Sequence, residues 1–352
     1  MPTFKIAVLP GDGVGVEVVS EGRKVLEAAA RRERGLTLAF TSFGWGSGYY
    51  RRHGRMMPAN GLETLRAFDA IYLGAVGDPG IPDHVTLHGL LFPIRRDFDQ
   101  YVNLRPASLL PGAPTPLRDK APGSIDMLVI RENTEGEYAD VGGRLTRGGR
   151  PTLAVQANVF TWEGTERVIR YAFQVARRRR KHLTSVTKSN ALAHSMVFWD
   201  EIFASLARQY PDVRTRSLLV DAACMNLVCK PEEFDVVVAS NLFGDILTDL
   251  SAAIVGGMGL APAANLNPTR KFPSMFEPVH GSAPDIAGRG IVNPVAAILT
   301  GAMMLEFLGA RRAAGRIQKA VGAVLAAGRV RTPDLGGTAT TRQVTEAILA
   351  AL

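Results

Sequence analysis

Two aspartates four residues apart, Asp245 and Asp249 in Asn241-Leu242-Phe243-Gly244-Asp245-Ile246-Leu247-Thr248-Asp249, are the residues around which this chain can do chemistry. The apolar-periodic run that follows predicts a helix opening here, which sets both carboxylates on one face, one turn apart. Like charges at that spacing repel. The next position on the face is Ala253, so neutralisation has to come from outside the helix, and a hard divalent cation is the simplest neutraliser. A third acid, Asp221, closes the strand-like run Ser217-Leu218-Leu219-Val220 and would extend the oxygen-ligand set. The plain alternative is a helix N-terminus carrying acids to complement its dipole.

Alternating strands and helices position these residues. Lys5 to Leu9 reads as a buried strand, Pro10-Gly11-Asp12-Gly13-Val14-Gly15 as a loop, and Glu17 to Arg34 as a helix with Val18, Val19, Val25 and Leu26 inward. Gly11 and Gly13 start like a dinucleotide fingerprint, but its sixth position is Val16, so a tight turn is the better reading. Strands are expected at 36–43, 69–75, 125–130 and 235–239, and the alternation argues an α/β layered fold. The strand at 125–130 delivers Arg131-Glu132-Asn133-Thr134-Glu135-Gly136-Glu137-Tyr138 at its carboxyl end, where α/β proteins place ligands. Ser185 to Asn190, with Lys188, is expected to follow a strand and open a helix. The stretches 256–265 and 276–286 read as loops, and helices are expected at 293–308, 316–327 and 341–352.

Composition narrows the function classes. A chain of 352 residues suits two domains, and 41 basic against 33 acidic residues leave +8, which favours an anionic partner. A nucleic-acid binder would interleave aromatics with its basic run, and Arg177-Arg178-Arg179-Arg180-Lys181 has none; it reads as a solvated helix end. The two cysteines, Cys224 and Cys229, make neither a disulfide framework nor a zinc site, which fits a reducing cytoplasm. The opening run is too short for a signal peptide, and no stretch reaches the roughly 20 apolar residues of a membrane span.

Assembled, these segments resemble the β-decarboxylating 2-hydroxyacid dehydrogenases, which act on isocitrate, 3-isopropylmalate, tartrate or D-malate. The resemblance rests on six motifs in order: Pro10 to Gly15, Asn103 to Pro106, Arg131 to Tyr138, Asn241 to Asp249, Glu277 to Asp285, and Pro333 to Gly337. It implies an isopropylmalate dehydrogenase-like fold of two α/β domains without a Rossmann loop and with the active site in the interdomain cleft. Residues 1–101 and 257–352 would form the cofactor domain and 102–256 the central domain. It also implies homodimers with shared sites, to which Lys188 and Asp221 come from the other subunit, with neither nucleic acid nor membrane as partner.

The resemblance extends to single residues. Arg95, Arg105 and Arg131 match arginines that grip the substrate's carboxylates as bidentate forks, and Asn190 and His88 join the substrate set. Asp245, Asp249 and the other subunit's Asp221 would hold Mg2+ or Mn2+; whether a monovalent cation assists stays open. Lys188 would take the hydroxyl proton as hydride leaves for the nicotinamide, and Tyr138 would protonate the enolate left by loss of CO2. NAD would lie on Glu277, His280, Gly281, Ser282, Ala283, Asp285, Ile286 and Asn293. Asp285 can accept from the ribose 2'-hydroxyl and would repel a 2'-phosphate; NADP-using relatives carry Lys there and Tyr at the position of Ile286. Ahead of Arg95, the segment from Asp83 to Tyr101 is most similar to the tartrate and D-malate group, although that group usually has Trp at the position of His88. The rival substrate is 3-isopropylmalate, for which Leu90, Leu91 and Phe92 would line an alkyl pocket; the leucine-pathway enzymes, however, have Glu where His88 stands.

Overall fold

The structure, a computed structural model, describes residues 3–352. Its strands are β1 (Thr3–Gly11), β2 (Thr37–Ser42), β3 (Ala70–Ala75), β4 (Val102–Ser108), β5 (Asp126–Glu132), β6 (Gly142–Arg147), β7 (Arg150–Gln156), β8 (His182–Thr187), β9 (Arg214–Leu219), β10 (Val236–Ala239), β11 (Pro262–Leu266) and β12 (Ser274–Pro278). The helices are α1 (Gly15–Arg31), α2 (Ser47–His53), α3 (Gly61–Leu65), α4 (Asp83–Thr86), α5 (Phe92–Asp97), α6 (Trp162–Arg177), α7 (Ser195–Ala207), α8 (Val220–Cys229), α9 (Asn241–Ile254), α10 (Val295–Leu308), α11 (Arg311–Ala327) and α12 (Thr341–Ala351). The chain divides into two compact units. The first holds the stretch up to Gln100, Arg105–Ile125 and Ser251–Leu352; the second holds Tyr101–Leu104 and Asp126–Leu250.

In the first unit the strands run β2-β1-β3-β12-β11, parallel except for the antiparallel pair β11 and β12. Every residue of β3 is buried, as expected of a parallel strand covered on both faces. Helix α1 covers it with Val18, Val19, Val25 and Leu26, the inward face expected from periodicity. Residues 256–265 and 276–286, expected as loops, are partly strand. Pro262–Leu266 is buried throughout, and Ala263 sits opposite Glu277. The stretch 105–125, which the sequence reading placed in the central domain, falls in this unit. Leu109 N donates to Ile125 O at 2.9 Å, and Thr115 Oγ1 to the Ile254 carbonyl at 2.7 Å.

In the second unit β5-β10-β8-β9 run parallel, with all of Val236–Ala239 buried at the centre. Two local expectations need correcting. Asp221 is not a strand end but lies in the first turn of α8, since β9 stops at Leu219. Lys188 does not open a helix: a single turn closes on its carbonyl through Ala191 N and Leu192 N, and α7 starts only at Ser195. The ribbon β6-β7, exposed along both strands, has no counterpart in the sequence reading. The basic run is ion-paired: Arg177 with Asp212 at 2.6 Å, Arg179 with Asp126 and Asp235 at 2.8 Å each.

Candidate active site

Helix α9 carries Asp245 and Asp249 one turn apart, Asp245 half-buried and Asp249 exposed. Asp245 accepts from the Tyr138 hydroxyl at 2.8 Å and forms an ion pair with Arg131 Nη1. The Arg131 guanidinium, only 2% exposed, is held on its other side by Asn241 Oδ1, to Nε at 3.0 Å and Nη2 at 2.7 Å. It lies 5.3 Å above the Tyr138 ring. No side chain would fit at Gly244, where a Cβ would stand 2.6 Å from the Arg131 Cβ. A phenol, a guanidinium and a carboxylate are thereby fixed at the C-terminal end of β5, a combination suited to delivering a proton beside an anionic substrate.

Asp221 is not brought to this face within the chain. It is exposed and accepts from Lys188 Nζ at 2.7 Å, and that hydrogen bond holds its carboxyl below the usual carboxylate range. Asn190 lies exposed in the same turn as Lys188. Among the described residues, no three His, Cys, Asp or Glu side chains converge on one point.

In the first unit Arg95 is 7% exposed and pairs through Nη2 with Glu277 Oε1 at 2.7 Å; Asn265 Nδ2 donates to the same oxygen at 2.7 Å. Arg95 Nε is buried without a partner, a donor left for an incoming acceptor. Arg105, on β4, is also buried. His88 is exposed on a π-helical turn, Leu87–Leu91, with its ring edge-on to Phe92 at 5.0 Å. Leu90 and Leu91 from that turn point the other way, into a core with Met56, Ile94 and Phe98.

The predicted cofactor loops line one cavity of about 330 Å3 in this unit, walled by Val14, His280, Ala283, Ile286, Asn293 and Asp334 among others. Gly13 admits this arrangement: its φ is +54°, and a Cβ there would come 2.0 Å from the Ser282 carbonyl, which accepts from Val14 N at 2.9 Å. The glycines of 10–15 thus serve a close loop contact. His280 Nδ1 lies 3.0 Å from the Gly281 carbonyl. A carbonyl only accepts, so Nδ1 carries the hydrogen, and in the neutral ring the buried, unpartnered Nε2 is an acceptor. Burial holds the ring below the usual histidine range, favouring that neutral form. Asn293 has its amide fixed, Oδ1 accepting from Val295 N and Nδ2 donating to Asp334 Oδ2, both at 3.0 Å. Asp285 is exposed beside Ile286; Glu277 lies on β12, outside the cavity wall. Asp334, in the motif 333–337, carries no role that its sequence alone reveals; its place between a Pro and two glycines is the available signal.

The isocitrate/isopropylmalate dehydrogenase family model matches residues 5–348. This chain belongs to that family. Within it, a D-malate dehydrogenase [decarboxylating] of Escherichia coli (strain K12) is 54% identical over 99% of this chain and 98% of its own. A probable tartrate dehydrogenase/decarboxylase of Agrobacterium vitis is 52% identical over 100% of this chain and 97% of its own. A crystal structure of isocitrate dehydrogenase from Methylococcus capsulatus matches with a TM-score of 0.89 at 38% identity, covering 99% of both chains. As a family member the chain is an oxidoreductase acting on a small molecule, with the nucleotide cofactor and divalent metal that membership implies. Among the described residues, no helix is long and apolar enough to cross a membrane.

Proposed function

We propose that this dehydrogenase oxidises a malate-like 2-hydroxy diacid, tartrate or D-malate, with NAD and Mg2+ or Mn2+, and releases CO2 from the β-carboxylate. The observation that carries the reading is the constellation of Arg131 on β5, Tyr138 in the loop that follows it, and Asp245 on α9. Arg95, Arg105 and Arg131 orient the substrate's two carboxylates, Arg95 through its open Nε. Lys188 accepts the proton of the 2-hydroxyl. After CO2 departs, Tyr138 delivers a proton from its hydroxyl to the enolate carbon, its orientation fixed by Asp245.

The donor set fits a hard cation. Asp245 and Asp249 present carboxylates a turn apart, and Asp221 stands exposed at the start of α8. When bound there, Mg2+ or Mn2+ withdraws electron density from the substrate's oxygen, and NAD supplies the hydride acceptor. The cavity lined by Ala283 and Ile286 is the place for the adenosine, and Asp285, exposed between them in sequence, is the group that would accept from the ribose 2'-hydroxyl.

Asp221 requires a second copy of the chain, and the surface of the second unit supports one. The ribbon exposes Leu145, Leu153 and Val155, and Met225 on α8 and Ile246 on α9 are 69% and 50% exposed. A free two-stranded ribbon is marginal in water, so covering it with a partner is favourable. A homodimer brings Lys188 and Asp221 of one protomer to the α9 face of the other.

The 3-isopropylmalate alternative is disfavoured because Leu90 and Leu91 are committed to the core. The test is a substrate panel of D-malate, the tartrate isomers and 3-isopropylmalate with Mn2+ and NAD or NADP. Reduction of NAD with D-malate or a tartrate supports the reading; turnover of 3-isopropylmalate alone overturns the substrate assignment.

A further inference from the structure

We propose that Glu137 is the positioning residue for proton delivery by Tyr138, acting by clamping the 133–138 loop onto the first turn of α9. The inference rests on the reading of Tyr138 as proton donor. Glu137 Oε1 accepts from Ser240 Oγ at 2.7 Å and Oε2 from Leu242 N at 3.0 Å. Ser240 directly precedes α9, yet its hydroxyl donates to Glu137 rather than capping the helix, so the cap comes from the loop. A carboxylate at a helix N-terminus is also favoured by the dipole. Beside it, Asn241 Nδ2 donates to the Glu135 carbonyl at 3.0 Å while its Oδ1 holds Arg131. Tyr138 is the next residue along the loop, and Asp245 lies one turn along the helix from the clamp. The 2.8 Å contact between their side chains is therefore set by how the loop is seated, and Glu137 makes two of the bonds that seat it.

Proton delivery can be isolated from hydride transfer. In D2O, with Mn2+ and NADH, the keto acid made from D-malate should exchange its methyl hydrogens: Tyr138 first loses its hydroxyl proton to solvent, the phenolate then takes a proton from the methyl carbon as the C–H electron pair moves into the enolate, and after exchange with solvent the hydroxyl returns deuterium to that carbon. Glu137→Met removes both acceptors at similar volume. It should lower the exchange rate and kcat together by about tenfold, with KM for D-malate and NAD within about twofold. Glu137→Gln can still accept from Leu242 N and donate to Ser240 Oγ, so it should retain most of the activity. Should Glu137→Met fail to fold, Ser240→Ala carries the test, with a smaller loss in exchange at unchanged KM. Full exchange in Glu137→Met, or equal loss in Glu137→Gln, overturns the inference. Tyr138→Phe is the control: if it leaves exchange intact, the reading of Tyr138 itself has failed, whereas loss in Tyr138→Phe without loss in Glu137→Met defeats the positioning role alone.

Discussion

Lys188 and Asp221 are bonded to each other at 2.7 Å within one chain, on an exposed surface away from the α9 acids. A base and a metal ligand assigned to the same neighbouring site ought to travel together, and this contact keeps them together. Asp221→Asn should lower kcat/KM by about 100-fold or more while leaving the melting temperature unchanged, because exposed ion pairs add little to stability. Steady-state kinetics beside a thermal melt checks both halves.

On the proposed reading, cofactor choice turns on Asp285. Replacing it with Ala should cost NAD about tenfold to 100-fold in kcat/KM, the worth of one to two hydrogen bonds to a ribose. Asp285→Lys with Ile286→Tyr should move the preference toward NADP. Kinetics with both cofactors decides this; an unchanged NAD:NADP ratio counts against the adenosine cavity.

Much of this was legible in the chain itself. The spacing of Asp245 and Asp249 set them a turn apart on α9, and the missing sixth glycine pointed to a tight turn, which Gly15 N closes on the Asp12 carbonyl at 3.0 Å. What stayed hidden were contacts that periodicity does not encode. The mostly small residues of β11 resemble a loop until burial is known, and the end of β12 lies in a stretch whose polar residues resemble a turn. The ribbon β6-β7 lacks a buried face, and so lacks the alternation that marks a strand. Glu137 and Asp334 act on groups far away in sequence, and their roles follow only from the fold.

Leu90 separates packing from specificity. It is fully buried among Met56, Ile94 and Phe98, so Leu90→Ala should cost about 2–5 kcal/mol of stability without admitting a bulkier substrate. Denaturant melts and the substrate panel test this together; wild-type stability with altered substrate choice would place Leu90 in the pocket after all.

Stability should also carry a pH signature from Glu132. Its side chain is fully buried, and burial pushes its carboxyl from 4.5 up to about 7 despite the opposing hydrogen bonds from Thr134 and Glu135. The folded chain therefore binds more protons than the unfolded one between pH 4.5 and about 7. This contribution to stability is complete at the acid end of that window and is lost as pH rises through it. Glu132→Gln should flatten the fall in melting temperature between pH 5 and pH 8, as read by thermal melts of both proteins.

The most direct test of a site shared between two chains mixes two inactive variants. Lys188→Ala and Asp245→Asn, each inactive alone, are unfolded together, refolded and assayed with D-malate, NAD and Mn2+. Sharing places both lesions in one site of the hybrid dimer and leaves the other intact, so activity should return to about a quarter of wild type, half the dimers being hybrid. If each site were built from one chain, every site would keep a lesion, and a mixture as inactive as its components would contradict the account.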